Sequence, residues 1–151
     1  MPASSGRVPS RSVMPYLFIH PFDKYSVYAI MDRMWEVEFT DEFGEWWYLL
    51  DAEEQESIAA SVELLRQLGP HLARPHVDAI HSSRHSNMKE LRTQHHGRPL
   101  RTLFAFDPRR CAILLIGGDK TGVDRFYDRL IPVADRLYDA HLVALEKEGL
   151  I

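Results

Sequence analysis

The chain has 151 residues, 45% of them apolar and 26% charged, with a formal net charge of -4 at pH 7. This is the ordinary composition of one globular domain, which excludes a disordered or fibrous chain and leaves enough apolar residues for a real core. The one cysteine, Cys111, excludes a disulfide framework, and no apolar run reaches the roughly 18 to 20 residues that cross a bilayer.

Cys111 lies inside an apolar run and reads as a small buried hydrophobe of a reducing compartment. Arg7 and Arg11 stand before "MPYLFIHPF" in loose likeness to a signal peptide. His20, Pro21, Asp23 and Lys24 interrupt the apolar part early, so a cytoplasmic location is expected, with no membrane partner. The net charge hides an uneven distribution. Glu36 to Glu63 contains ten acids and no Lys or Arg, whereas Arg74 to Arg129 contains eleven Lys or Arg against six acids, with five histidines added. A basic part of this kind suits a polyanion, and an acidic part suits a solvated helical face.

Residues 1–33 are expected to be an N-terminal extension, its first part, "MPASSGRVPSRSVMP", disordered for want of anything to bury. The folded domain is expected over 34–151. "WEVEF" at 35–39 alternates apolar and acidic, the period of a half-buried strand. Thr40 or Asp41 can cap the helix that follows. "EFGEWWYLL" and "AEEQESIAASVELLRQLG" read as two helices, the second with Ile58, Val62, Leu65 and Leu68 on one stripe and closed by Gly69 and Pro70. Trp46 and Trp47 are expected to serve core or interhelix packing. "NMKELRTQ", "PLRTLFAF" and "CAILLIGG" are separated by the turn-rich "HHGR" and "DPRR", which predicts an antiparallel meander of three strands whose third is central. "VDRFYDRLIPVADRLYDAHLVALEKEG" is helical in period. Pro132 either starts a second helix there or kinks a single one, and Gly149 is the C-terminal stop. The order of elements predicts an α+β fold, a small antiparallel sheet packed by helices.

The loop "GGDKTG" is not a nucleotide loop, because Asp119 precedes Lys120 and Leu114 stands where a Walker sequence needs its first glycine. The two glycines are expected to turn the chain off its strand and present Lys120. Strand alternation sends Leu91, Leu100, Phe104 and Phe106 to the core and Glu90, Arg92 and Arg101 to the opposite face. With Lys120 and Tyr127 nearby, these residues form a candidate phosphodiester site, since guanidinium forks hold phosphate oxygens and stabilise charge developing on them.

The strand "KELR", the arginine in "LRTLFAF", and "AILLIGGDKTG" followed by "FYDRLIPVADRLYDAHL" resemble the RelE/HigB superfamily of type II toxins, and most closely its phage-derived branch. The resemblance spans roughly 35–145. It implies a small endoribonuclease, an mRNA interferase that inhibits growth, cutting mRNA often on the ribosome and neutralised by an antitoxin, frequently a helix-turn-helix protein. It implies further that Arg92 and Arg101 contact phosphate, that Lys120 is the basic loop residue and that Tyr127 lies near the scissile bond. Glu90 stands where some relatives have lysine, so the general base is left between Glu90, His95 and His96. Lys89, His95, His96 and Arg98 are the expected RNA-binding positions. The implied reaction, attack of a ribose 2′-hydroxyl on its own phosphate, needs no cofactor and no metal.

The histidines at 71, 76, 81, 85, 95 and 96 do not have the spacing of a zinc motif, lacking both a helical H-x-x-x-H with a neighbouring glutamate and a cysteine pair. A catalytically inactive module of the same fold, binding RNA or an antitoxin, is the other reading of the chain.

Overall fold

The computed structural model describes residues 12–13 and 34–151; the rest of the N-terminal extension lies outside the described residues. The elements in chain order are β1 (Ser12–Val13), β2 (Val37–Phe39), α1 (Asp41–Tyr48), α2 (Ala52–Leu68), a 3-10 turn (Gly69–His71), β3 (Val77–Ala79), β4 (Lys89–His95), β5 (Arg98–Phe106), β6 (Ala112–Asp119) and α3 (Phe126–Lys147). The strands form one sheet in the order β1-β2-β6-β5-β4-β3. Strands β3, β4, β5 and β6 pair antiparallel in succession, β2 joins β6 in parallel, and β1 pairs antiparallel with β2. The α+β fold and the meander are as expected. The parallel edge and the short β3 add strands on both sides of it.

Helices cover both faces of the sheet. On one face Phe43 of α1 and Ile58, Val62 and Leu65 of α2 pack with Leu91, Leu100, Phe104 and Leu114. On the other, Ile131, Ala134, Leu137 and Tyr138 of α3 pack with Met88, Leu103, Ile113 and Leu115. Strand alternation alone separates the two sets, and β6, apolar on both faces, is fully buried from Ala112 to Leu115. Among the described residues no helix is long and apolar enough to cross a membrane.

The helix ends follow from local chemistry. Thr40 Oγ1 accepts from Phe43 N at 3.1 Å, capping α1, and donates to Leu115 O at 2.6 Å, which ties the cap to the central strand. Asp51 and Glu54 form a reciprocal capping box on α2. Pro132 lies inside a single continuous α3. That helix ends with Leu150 N donating to Leu145 O and Gly149 N to Glu146 O, a left-handed stop at φ 70° for Gly149.

The register of β5 with β6 slips by one residue between Leu103 and Phe104, whose partners are Ile116 and Leu114. Leu115 is therefore an extra residue, a bulge that keeps Leu115 and Ile116 on the α3 side. Beyond it, Gly117 and Gly118 lie within the strand and do not turn the chain off it, contrary to the expectation from sequence. A side chain on Gly117 would stand 2.1 Å from the Trp46 ring, and one on Gly118 would stand 2.9 Å from Phe126. These glycines are flat places on the sheet where two aromatic rings rest. Trp46 thus packs as expected, and Trp47 stacks on Phe43.

Candidate functional site

The site is built on the α3 side of β4 and β5. Arg92 and Arg101 are direct cross-strand partners, and Glu90 is paired across the other edge with Asp78 of β3. Glu90 is buried, and both its carboxylate oxygens are engaged. Oε1 accepts from Arg92 Nε at 3.0 Å, and Oε2 accepts from the Tyr127 hydroxyl at 2.7 Å. Arg92 also donates to Asp78 at 3.1 Å, and Asp78 in turn accepts from Arg74 at 2.8 Å. Lys120 is held by its backbone N–H on Pro99 O and places its ammonium 5.0 Å from the centre of the Tyr127 ring.

Arg101 differs from its neighbours. Its side chain is only 12% exposed, its Nε is fully buried with no hydrogen-bond partner, and the nearest carboxylate oxygen, Glu90 Oε2, stands 3.9 Å away. One guanidinium nitrogen donates to Leu100 O. A buried cation with an unfilled donor is costly unless an anion completes it. Arg92 and Arg101 also line an open cleft of about 650 Å³ walled on one side by Ser57, Ser61 and Leu64 of α2, together with His76, Gln94 and Pro99. A second cleft, of about 460 Å³, runs from Tyr127 along α3 past Pro132 to Arg136.

Burial raises the Tyr127 hydroxyl above its ordinary value of 10.0, and acceptance by Glu90 raises it further, while Arg101 pulls the other way. Tyr127 is therefore a protonated donor at neutral pH. The cluster offers two guanidinium groups and a neutral hydroxyl about one buried carboxylate, with the Lys120 ammonium beside the Tyr127 ring, a set that can bind a phosphate and move a proton.

Of the positions singled out in the sequence, the structure brings together Glu90, Arg92, Arg101, Lys120 and Tyr127. The others lie elsewhere. Lys89 projects to the opposite face, over the Phe106 ring at 5.7 Å. His95 is buried against α2 with Nδ1 2.7 Å from Ser57 Oγ, His96 pairs with Glu53, and Arg98 bridges Glu54 and Asp119. His96 and Arg98 are thus drawn to acidic residues at the start of α2. Asp78, Arg74 and His76 were not anticipated, because β3 is three residues long and carries no period to read. Among the described residues, Glu53, His95 and His96 form the one group whose donor atoms could hold a metal ion.

The chain is a small α+β domain with a cationic cluster on one face of its sheet, and comparison with known proteins narrows its class. Residues 45–139 match the family model described as phage-derived protein Gp49-like. Two proteins of Mycobacterium tuberculosis are similar. One, named as a candidate toxin, HigB3, is 48% identical over 92 residues, covering 60% of this chain and 79% of that protein. The other, named as a candidate toxin, HigB2, is 39% identical over 129 residues, 84% of this chain and 64% of that protein. No solved structure matches the chain. The chain belongs to the phage-derived Gp49-like family, the HigB-like toxin family that the sequence resemblance indicated.

Proposed function

We propose that the chain is the toxin of a type II toxin–antitoxin pair and acts as an endoribonuclease on mRNA, including mRNA engaged by the ribosome. The observation that carries the reading is Arg101, a nearly buried guanidinium with an unfilled Nε beside Arg92, Glu90 and Tyr127. Family membership supports the toxin part of it.

In the proposed reaction Arg92 and Arg101 hold the non-bridging oxygens of a phosphodiester, and Lys120 adds positive charge beside Tyr127. Phosphate binding draws Arg92 from Glu90 and frees the carboxylate. The ribose 2′-oxygen then bonds to phosphorus as its proton passes to Glu90. The bond from phosphorus to the 5′-oxygen breaks, and Tyr127 gives its hydroxyl proton to that leaving oxygen. The proton on Glu90 returns to the Tyr127 oxygen across their 2.7 Å contact, which restores the site. The products are a cyclic phosphate and a 5′-hydroxyl end. RNA is required because DNA lacks the attacking hydroxyl. The chain acts in the cytoplasm, and a helix-turn-helix protein is the expected antitoxin.

Induced expression of wild type and Arg101→Ala in a bacterium, with growth followed and transcript 5′ ends mapped, tests the proposal. Arrest with new 5′-hydroxyl ends in wild type alone supports it. Full cleavage by Arg101→Ala would sink the site, and intact transcripts with soluble wild-type protein would leave the inactive RNA- or antitoxin-binding module.

A further inference from the structure

The β4–β5 hairpin carries a second constellation that the proposed reaction does not use. His95 and His96 are adjacent in sequence, and adjacent strand residues normally point to opposite faces. Here the hairpin turns through two left-handed residues, His96 at φ 49° and Gly97 at φ 76°, with His95 and Arg98 paired on either side. This is the two-residue turn that favours Asn-Gly, and a histidine occupies the asparagine position. The left-handed backbone swings the His96 ring back to within 4.3 Å of the His95 ring, centre to centre. Glu53, from the first turn of α2, approaches from the other side, 3.3 Å from His96 Nε2. One donor atom from each of Glu53, His95 and His96 lies within 4.8 Å of the other two.

We propose that Glu53, His95 and His96 bind a divalent transition-metal ion of the zinc class, which clamps the β4–β5 hairpin to the start of α2. Two imidazoles and one carboxylate are a common zinc donor set, and a tetrahedral site with bonds of about 2.0–2.1 Å sets its donors roughly 3.3 Å apart. His96 and Glu53 have that separation already, and their side chains, 72% and 76% exposed, are free to close on the third donor. His95 is the fixed member. It is 6% exposed and its Nδ1 contacts Ser57 Oγ, one helical turn from Glu53, which leaves Nε2 for the metal and orients the ring. The three residues line an open cleft of about 490 Å³, so the ion keeps a position for water or another ligand. The site faces α2, while the Glu90 cluster lies on the α3 side, about 17 Å away along β4 at 3.4 Å per residue. Imidazole donors exclude magnesium and calcium as the preferred ions.

The test is titration of the full-length, EDTA-stripped chain with zinc chloride by calorimetry, with melting followed in parallel. Wild type is expected to bind one equivalent and to melt roughly 5–10 °C higher with free zinc at about 100 times Kd. His96→Ala and Glu53→Gln, both at exposed positions, are expected to fold and to lose that equivalent. His81→Ala, an exposed histidine elsewhere, should keep it, and magnesium should give no shift in any variant. Wild type without saturable one-equivalent binding, or His96→Ala binding as wild type does, would overturn the assignment. Neither result bears on RNA cleavage.

Discussion

Arg92 and Arg101 stand directly opposite each other on β4 and β5, two like charges in the ladder position where opposite charges or apolar pairs are favourable. The sheet tolerates them because Glu90 lies two residues from Arg92 on the same face and contacts both. Arg101→Ala removes the repulsion together with a buried unfilled donor, so its melting temperature should equal or exceed that of wild type. RNA cleavage should fall by about 10²–10³-fold, the usual loss when one preorganised charge stabiliser is removed. A coupled fall in both quantities would assign Arg101 to the fold and not to the reaction.

Glu90→Gln tests the other side of the same arrangement. Without the carboxylate, two guanidinium groups face each other with Asp78 alone nearby, and breaking a mostly buried ion pair costs roughly 3 kcal/mol. Urea denaturation should show that loss. The double variant Glu90→Gln/Arg101→Ala should recover part of it, and strict additivity would contradict the coupling.

Tyr127→Phe deletes the hydroxyl that Glu90 accepts, which should cost about 1–2 kcal/mol for the carboxylate left unfilled, and about 10²–10⁴-fold in cleavage if that proton reaches the leaving oxygen. The folded state holds the Tyr127 proton more tightly than the unfolded chain does, because burial and Glu90 raise its pKa. The resulting stability is present below about pH 10 and is lost as pH rises through the folded value. Wild type should therefore show a steeper alkaline fall in stability than Tyr127→Phe, measured by chemical denaturation from pH 8 upward.

Asp107 contributes to the acid limb, as do Asp51, Asp78 and Asp119, whose carboxyls are also held below their ordinary value. Burial pushes its carboxyl up, but hydrogen bonds from His141 and Arg109 outweigh it and hold the group below its ordinary value of 3.8. That contribution is present above pH 3.8 and is lost as pH falls through the lower folded value. Asp107→Asn should be about 3–5 kcal/mol less stable at neutral pH, with Arg109 left to Glu38 alone, and its stability should vary less below pH 4. An unchanged acid limb would move the pH dependence to other carboxylates.

Gly117→Ala should destabilise through overpacking by about 1–3 kcal/mol, because the new methyl group meets the Trp46 ring. Shortening the ring partner with Trp46→Leu in the same chain should reduce that penalty; equilibrium denaturation of the three variants decides it.

The sequence made the strands with clear alternation legible, and with them the grouping of Glu90, Arg92 and Arg101, since period two assigns a face without knowledge of the rest of the chain. Lys120 and Tyr127 were legible only as lying near that face, from the loop and helix that leave the neighbouring strand, and the family resemblance added their roles. His95 was misjudged for a physical reason. It shares the face of Leu91 and Thr93, where α2 buries it, and its exposure could not be read without knowing which helix lies above. Asp78 and Glu53 were out of reach altogether, since each acts through a partner brought near by tertiary pairing. The glycines were assigned to a turn because glycine serves both turns and close contacts, and only the positions of Trp46 and Phe126 distinguish the two.

The extra residue Leu115 acts as a phase shift written into the central strand. Upstream of it, even-numbered positions face α2; downstream, the odd-numbered Gly117 takes that side. Deleting Leu115 itself would restore plain alternation and leave Ile116, Gly117 and Gly118 on their present sides, whereas deleting Gly117 would set Gly118 against Trp46, turn Asp119 toward Phe126 and rotate the departure of Lys120 to the wrong surface. An insertion in the exposed turn after Lys120 would leave both rings and the ammonium's point of origin in place. The chain's tolerance of length changes is therefore discontinuous over a few residues, with the boundary at the end of β6.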